Sequence, residues 1–251
     1  MSLELVDSHC HVTNFEDPHS VIQEATSAGV KFIIGVGEDP DDNSLLLRIA
    51  ERYSDVVKPC LGYHPWNAAE ANDDMIRSFE KQVVEHVDVI YGIGEVGLDK
   101  RFVRGEDKFK RQLKAFEVAL RLAKEYDLPL NIHTVKTERI VLELLVKEDI
   151  DKAVFHWYSG SYEVLEEIIN LGYRVSVNLA LGYSKRCRGV ARRVPLALVL
   201  LESDSPYEFR GEQATPMSII RVAEYLAKIR GVSTDLIARI TSNNASILFG
   251  I

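Results

Sequence analysis

Short apolar runs rich in β-branched residues recur along the chain at Leu3 to Val6, Lys31 to Val36, Val57 to Leu61, Val89 to Ile93, Leu128 to Ile132, Ala153 to Phe155, Tyr173 to Val177 and Ala197 to Leu201. Runs of this length and composition predict strands, eight in all. The stretches between them carry helical periodicity. The clearest places Phe109, Leu113, Phe116, Leu120 and Ala123 at alternating four- and three-residue steps, one apolar stripe along a helix. Local punctuation agrees: Gly29, Gly172 and Gly231 follow helical runs where a C-terminal cap sits, and Asp-Pro or Ser/Thr residues precede several others. No linker or low-complexity segment interrupts the alternation, so residues 1–251 read as one domain. Eight βα units in this length predict an α/β fold of the single (β/α)8 TIM-barrel type, with active sites at the C-terminal ends of the strands. A doubly wound open sheet is the competing architecture.

Composition narrows the class without naming a function. With 46% apolar and 27% charged residues the chain matches an ordinary soluble domain and can bury roughly three quarters of its unfolded surface. No apolar run approaches the ~18 residues that span a bilayer. Because a strand begins within the first residues, a cytoplasmic location and no membrane partner are expected. Cys10, Cys60 and Cys187 are odd in number and lack CxxC spacing, which argues for reduced thiols over a disulfide framework or a structural zinc knuckle. The net charge of −8 gives no global attraction to nucleic acid, so a polyanionic substrate would need a local basic patch or bound cations.

Six potential metal ligands fall where predicted strands end: His9, His11, Glu95, His133, His156 and Asp204. Soluble domains seldom spend such groups on half-buried positions without a partner, and a doubly wound sheet would not make them converge. In Asp7-Ser8-His9-Cys10-His11 the odd positions share one face of an extended chain, so His9 and His11 can hold one cation together. Asp7 points the same way, where it would fix a ligand imidazole through a hydrogen bond. Gly92 to Gly97 spells GxGxxG after a strand, but a dinucleotide site is rejected: Glu95 would sit among the phosphates, and the next helix begins only near Gly105. The glycines instead let a tight backbone deliver Glu95, whose carboxylate can bridge two cations. His133 and His156 each end an apolar strand, and for either alone a hydrogen-bonded core histidine is the competing reading. Asp204 follows a run too apolar to bury an acid unpaired. Its expected place is beside a metal-bound water. His64 ends the third strand as a substrate contact, a general acid or a structural residue. His19 and His86 lie in helical stretches with polar neighbours and are expected at the surface.

Taken in order, Asp7 to His11 (D-x-H-x-H), Gly62 to Pro65 (G-x-H-P), Gly94 to Asp99 (G-E-x-G-L-D), Glu202 to Tyr207 (E-T-D-x-P-Y) and Asn244 to Phe249 (N-A-x-x-L-F) resemble the TatD family of metal-dependent hydrolases, a branch of the amidohydrolase superfamily. The likeness covers the whole chain in the expected order. It implies a barrel, two divalent cations and, in many members, deoxyribonuclease activity. It also implies that His9, His11, Glu95 and Asp204 bind one cation and Glu95, His133 and His156 the other. The donor set suits Zn²⁺, Mn²⁺ or Co²⁺, with Mg²⁺ admissible. The expected chemistry is attack by a metal-activated water, with Asp204 taking the proton, Glu95 bridging and His64 assisting the leaving oxygen.

Two departures bear on the substrate. Many relatives carry R-G-K-R-N-x-P after the last strand, whereas here Arg210 to Pro216 loses two cations and an amide; and the arginine often found two residues after the fifth-strand histidine is Val135. Against this, Lys185, Arg186, Arg188, Arg192 and Arg193 crowd into nine residues. They read either as a backbone-tracking patch, with Lys185, Arg186 and Arg188 binding substrate beside His64, or as a solvated helix face. The leading expectation is a nucleic acid substrate, most simply DNA. The same centre could cleave esters or amides, such as a D-aminoacyl-tRNA or a small cyclic amide, or could serve a non-catalytic interaction protein, which would instead show a closed, buried site.

Overall fold

The computed structural model describes residues 4–251. Eight strands, β1 (Leu5–Cys10), β2 (Val30–Val36), β3 (Val57–Tyr63), β4 (Gly92–Asp99), β5 (Leu130–Val135), β6 (Ala153–Phe155), β7 (Arg174–Val177) and β8 (Val199–Leu201), pair in parallel in sequence order. A parallel bridge between Cys10 and Ser205 joins the last strand's extension back to the first. His11 N–H donates to Ser205 O at 2.8 Å and Asp204 N–H to His9 O at 3.0 Å, so the sheet closes into a barrel at the ends where the histidines lie.

Helices α1 (Pro18–Ser27), α2 (Pro40–Arg52), α3 (Pro65–Ala68), α4 (Asp73–Glu85), α5 (Glu106–Tyr126), α6 (Glu138–Lys147), α7 (Tyr162–Asn170), α8 (Lys185–Arg193), α9 (Ser218–Arg230) and α10 (Thr234–Phe249) connect or follow the strands. Their starts are set by local chemistry. Asp17 and Asp39 cap α1 and α2 ahead of a proline in the first turn, while Ser161, Ser184 and Ser233 cap α7, α8 and α10 through their hydroxyls. The apolar stripe on α5 packs Phe116, Leu120 and Ala123 into the core. No helix among the described residues is long and apolar enough to cross a membrane.

Alternation along each strand divides the core in two. Leu5, Ile33, Leu61, Ile93, Ile132 and Phe155 face the helices in one large cluster. Val6, Ile34, Val36, Cys60, Val154 and Leu200 form a separate apolar layer with Ala245, Leu248 and Phe249 of α10, which plugs the barrel from the end opposite the histidines. The other end is therefore the one open to polar chemistry.

The eight predicted strands are all present, but several bounds move. The residue Leu3 lies outside the described residues. The fourth strand is not Val89 to Ile93: Val89 is exposed in the loop after α4, and β4 begins at Gly92, where Tyr91 N–H has just paired with Pro59 O at 2.8 Å. A two-stranded hairpin, β9 (Glu208–Phe209) with β10 (Glu212–Gln213), follows β8 and was not expected. His19 and His86 are half-buried rather than at the surface, His19 against the Tyr53 hydroxyl and His86 with Nδ1 2.9 Å from Gln82 O.

Candidate metal centre

Every side chain of the candidate set rises from a parallel strand or the residues just beyond it. His9 lies in β1 and His11 one residue past it; His133 lies in β5; His156 follows β6; and Asp204 stands three residues past β8. His9 and His133 were expected just past their strands and lie inside them, and Glu95 likewise sits within β4 rather than after it. For Glu95 the reason is the glycines, which lower the strand signal in the sequence but are required by space. A Cβ on Gly62 of β3 would be driven into the Glu95 amide nitrogen and the Gly37 carbonyl, and one on Gly97 into the His133 carbonyl, where φ is also +145°. The backbones of β3, β4 and β5 thus approach closely enough to set Glu95 between His64 and His133.

The structure brings all six residues into one buried cluster, each 9% exposed or less. They fall into two sets that share Glu95. Around Glu95 Oε2, His9 Nε2 lies at 3.4 Å and His11 Nε2 at 3.2 Å, with Asp204 Oδ1 at 3.6 and 3.7 Å from the two imidazole nitrogens. The two nitrogens are 3.3 Å apart. Around Glu95 Oε1, His133 Nδ1 lies at 2.7 Å and His156 Nε2 at 3.0 Å, with 3.5 Å between these nitrogens. Donors around one cation with bonds of ~2.1 Å stand roughly 3.0–3.4 Å apart in octahedral or tetrahedral geometry. The first set spans 3.2–3.7 Å and the second 2.7–3.5 Å, close to that range, so the residues present fit a divalent cation in each.

Neighbouring groups hold the donors. Asn131, in β5, places Oδ1 2.8 Å from His9 Nδ1 and donates from Nδ2 to Ser8 O at 2.8 Å, which leaves His9 Nε2 facing Glu95. Glu38 Oε1 stands 3.5 Å from His11 Nδ1, and Glu202 Oε1 3.7 Å from His156 Nδ1. Glu202 accepts from Trp157 N–H at 2.9 Å, from Asn178 Nδ2 at 3.0 Å and from the Ser176 hydroxyl. Asp99 Oδ2 lies 3.2 Å from His133 Nε2 and accepts from Trp66 Nε1 at 2.8 Å. Carboxylate or amide partners behind ligand imidazoles fix ring orientation and tautomer. Asp7 does not take that part. Its carboxylate accepts from Ser203 N–H at 2.8 Å and Ser203 Oγ at 2.5 Å, welding β1 to the segment after β8, and burial pushes its pKa up to about 8. The imidazole it was expected to hold belongs to Asn131.

Electrostatics couple the whole cluster. Burial alone would raise Glu95, but the imidazoles of His64, His156 and His9 and a hydrogen bond from His11 hold it well below the usual carboxylate range. Burial acts to lower His11, yet its bond to Glu95 and the charges of Glu95, Glu38 and Asp204 raise it to about 9. His156 is likewise raised, by Glu95 and Glu202 against burial. Burial raises Asp204, which makes it a better proton acceptor than an ordinary surface aspartate. His64 caps α3, accepting from Trp66 N–H through Nδ1 at 3.2 Å, with Nε2 3.5 Å from Glu95 Oε1. Burial and the neighbouring imidazoles depress its pKa to about 3 despite Glu95, so the neutral ring carries its proton on Nε2.

The basic run forms α8, and Arg186 Nε donates to Ser159 O at 3.3 Å in the loop that follows His156. Arg186 and Arg193 stack on the Tyr162 ring at 3.9 and 3.7 Å, and Arg188 donates to Leu181 O at 3.0 Å. Lys185 is exposed at the start of the helix, shortly after β7. Among the described residues none of these five cations has a carboxylate within 4.0 Å.

Comparison with known proteins agrees with this architecture. The family described as TatD related DNase matches residues 6–250. The human deoxyribonuclease TATDN3 is 30% identical over 98% of this chain and 94% of its own. The Escherichia coli K12 metal-dependent hydrolase YjjV is 30% identical over the full length of both chains, and its crystal structure, a TatD homologue, superposes with a TM-score of 0.90. A TatD-family hydrolase from Entamoeba histolytica, at 20% identity and a TM-score of 0.88, shares the fold over 99% of both chains. With a closed parallel barrel, a cluster of imidazoles and carboxylates at its strand ends, and relatives matching from end to end, the chain belongs to the TatD-related DNase family of metal-dependent hydrolases.

Proposed function

We propose that the protein hydrolyses phosphodiester bonds of nucleic acid, DNA foremost, using two divalent cations held by the two donor sets. One observation carries this reading: Glu95 turns one carboxylate oxygen to each set, His9, His11 and Asp204 on one side and His133 and His156 on the other. Four imidazoles favour Zn²⁺, Mn²⁺ or Co²⁺ over Mg²⁺. Such a pair of cations supplies Lewis acidity, polarising a phosphoryl oxygen and bringing the pKa of water toward ~7. The chain's own residues do the rest. Asp204, raised by burial and lying at the edge of the first set, takes the proton of the attacking water. His64, neutral with its proton on Nε2, donates a hydrogen bond to the substrate on the other side of Glu95 and steadies the leaving oxygen. Lys185, Arg186 and Arg188 are the proposed contacts for flanking phosphates.

A hydrolase of esters or amides would use the same centre. The altered segment after β8 does not speak strongly for it, because Glu212 in β10 is exposed and paired with Arg221 rather than turned to the imidazoles. The test is Glu95→Ala with a single-stranded oligonucleotide and a bis-phosphodiester chromogen. Loss of hydrolysis by at least ~10³-fold together with loss of bound metal is expected. Full activity of exhaustively chelated wild-type protein overturns the reading, and turnover of an aminoacyl ester in preference to both phosphodiesters transfers it to the ester class.

A further inference from the structure

Beside the candidate centre, the mouth of the barrel carries two large aromatic side chains that stand partly in solvent. Trp66, in α3, is 48% exposed and Phe102, in the loop between β4 and α5, is 60% exposed. Their rings meet edge to face with centroids 5.5 Å apart, and together with Val103, Arg104, Lys108 and Glu70 they line a cavity of about 400 Å³. Isolated exposed aromatics need no explanation. These two differ because both are tied to the centre by one carboxylate. Asp99 Oδ1 accepts from the backbone N–H of Arg101 at 2.7 Å and of Phe102 at 2.8 Å, while its Oδ2 accepts from Trp66 Nε1 at 2.8 Å and lies 3.2 Å from His133 Nε2. The Trp66 ring also stands edge to face with His64 at 5.1 Å. The aromatic pair is therefore set in register with His64 and His133, not free to drift with its loop.

Charge points to the same occupant. In a chain of net charge −8, Arg104 lines the cavity and Lys100 and Arg101 precede Phe102 in its loop, all three with no carboxylate within 4.0 Å among the described residues, while Lys108 and Glu70 neutralise each other. Arg101 lies over the Phe102 ring at 5.0 Å and Lys100 over Phe109 at 4.2 Å. Exposed π faces interleaved with unpaired cations are what a nucleobase and its phosphates require.

We propose that Trp66 and Phe102 form a stacking platform for the nucleobase adjacent to the bond that is cut. The platform fixes the distance from that base to the centre through Asp99, so it sets which phosphate reaches the centre. This rests on the phosphodiester reading above. It also implies that the base must be unpaired, since a base inside a duplex has both faces covered.

The test compares single-stranded oligonucleotides carrying one abasic nucleotide on either side of the cleaved bond with the intact oligonucleotide, for wild type, Phe102→Ala and Phe102→Trp. Stacking worth about one base predicts that the abasic change raises KM about tenfold in the wild type. The ratio of abasic to intact KM is expected to fall to about one in Phe102→Ala and to return in Phe102→Trp. Phe102 is largely exposed, so the alanine variant is expected to fold. An abasic ratio that is the same in Phe102→Ala as in wild type overturns the platform and leaves the phosphodiester reading standing. Failure of the wild type to cut any of the oligonucleotides overturns both.

Discussion

At the scale of single residues, the donors depend on partners that themselves touch no metal. Asn131 turns its amide oxygen to His9 Nδ1 at 2.8 Å, and partners of this kind are worth ~10- to 100-fold in metal affinity. Asn131→Ala is therefore expected to weaken Zn²⁺ binding by about that factor with the barrel intact, read by competition with a chromogenic chelator; unchanged affinity would remove Asn131 from this role. Protons compete for the same nitrogens. His11 and His156 are both raised in the folded protein, His11 to about 9, so near neutral pH their imidazoles hold protons that a cation must displace. Loading at pH 7 is expected to release protons, and affinity is expected to fall as pH drops. Titration calorimetry in buffers of different ionisation enthalpy measures this, and loading without proton release contradicts it. The six candidate donors, which the fold gathers into one cluster, stood out in the sequence because each is a polar residue ending or interrupting an apolar run. Asn131, Asp99 and Glu202 did not, because their significance lies in what another strand places opposite them, and Asp7 misled because its true partner, Ser203, is 196 residues away.

At the scale of elements, β3, β4 and β5 show why the strand count was readable and one boundary was not. Apolar β-branched runs announce a strand whatever surrounds it. A strand built as Gly-Ile-Gly-Glu-Val-Gly has little such signal, and only the closeness of Gly62 and Asn131 on its two flanks explains the composition. Gly62→Ala is expected to destabilise the protein by about 3 kcal/mol or to prevent folding, since the new methyl would meet backbone on both sides that cannot turn away. Gly182→Ala is the control: its nearest neighbour is the Tyr225 ring at 3.2 Å, and a small shift of that side chain admits the methyl. Urea denaturation midpoints separate the two, and equal midpoints would show that the inter-strand spacing is softer than described. The β9–β10 hairpin left no trace in the pattern because two-residue strands carry no periodicity.

At the scale of the whole molecule, acidity overall and basicity at one edge coexist. Many lysines and arginines elsewhere are paired with carboxylates, as in Lys31 with Glu4, Lys114 with Asp73 and Arg139 with Glu167, whereas among the described residues none of the five cations from Lys185 to Arg193 is. Changing Lys185, Arg186 and Arg188 together to alanine is expected to weaken oligonucleotide binding and to reduce the slope of log K against log salt by about 2, at ~0.7 per phosphate contact for single strands. An unaltered slope would return α8 to the status of a solvated helix.

The closure of the barrel has a temporal consequence. The hydrogen bonds between His9 and Asp204 and between His11 and Ser205 join two stretches nearly 200 residues apart, and the donors of the first set come from both. During synthesis the amino-terminal imidazoles must wait for almost the entire chain to leave the ribosome before their fourth companion arrives. A product truncated before Asp204 therefore cannot assemble the first donor set, however well its earlier strands have folded.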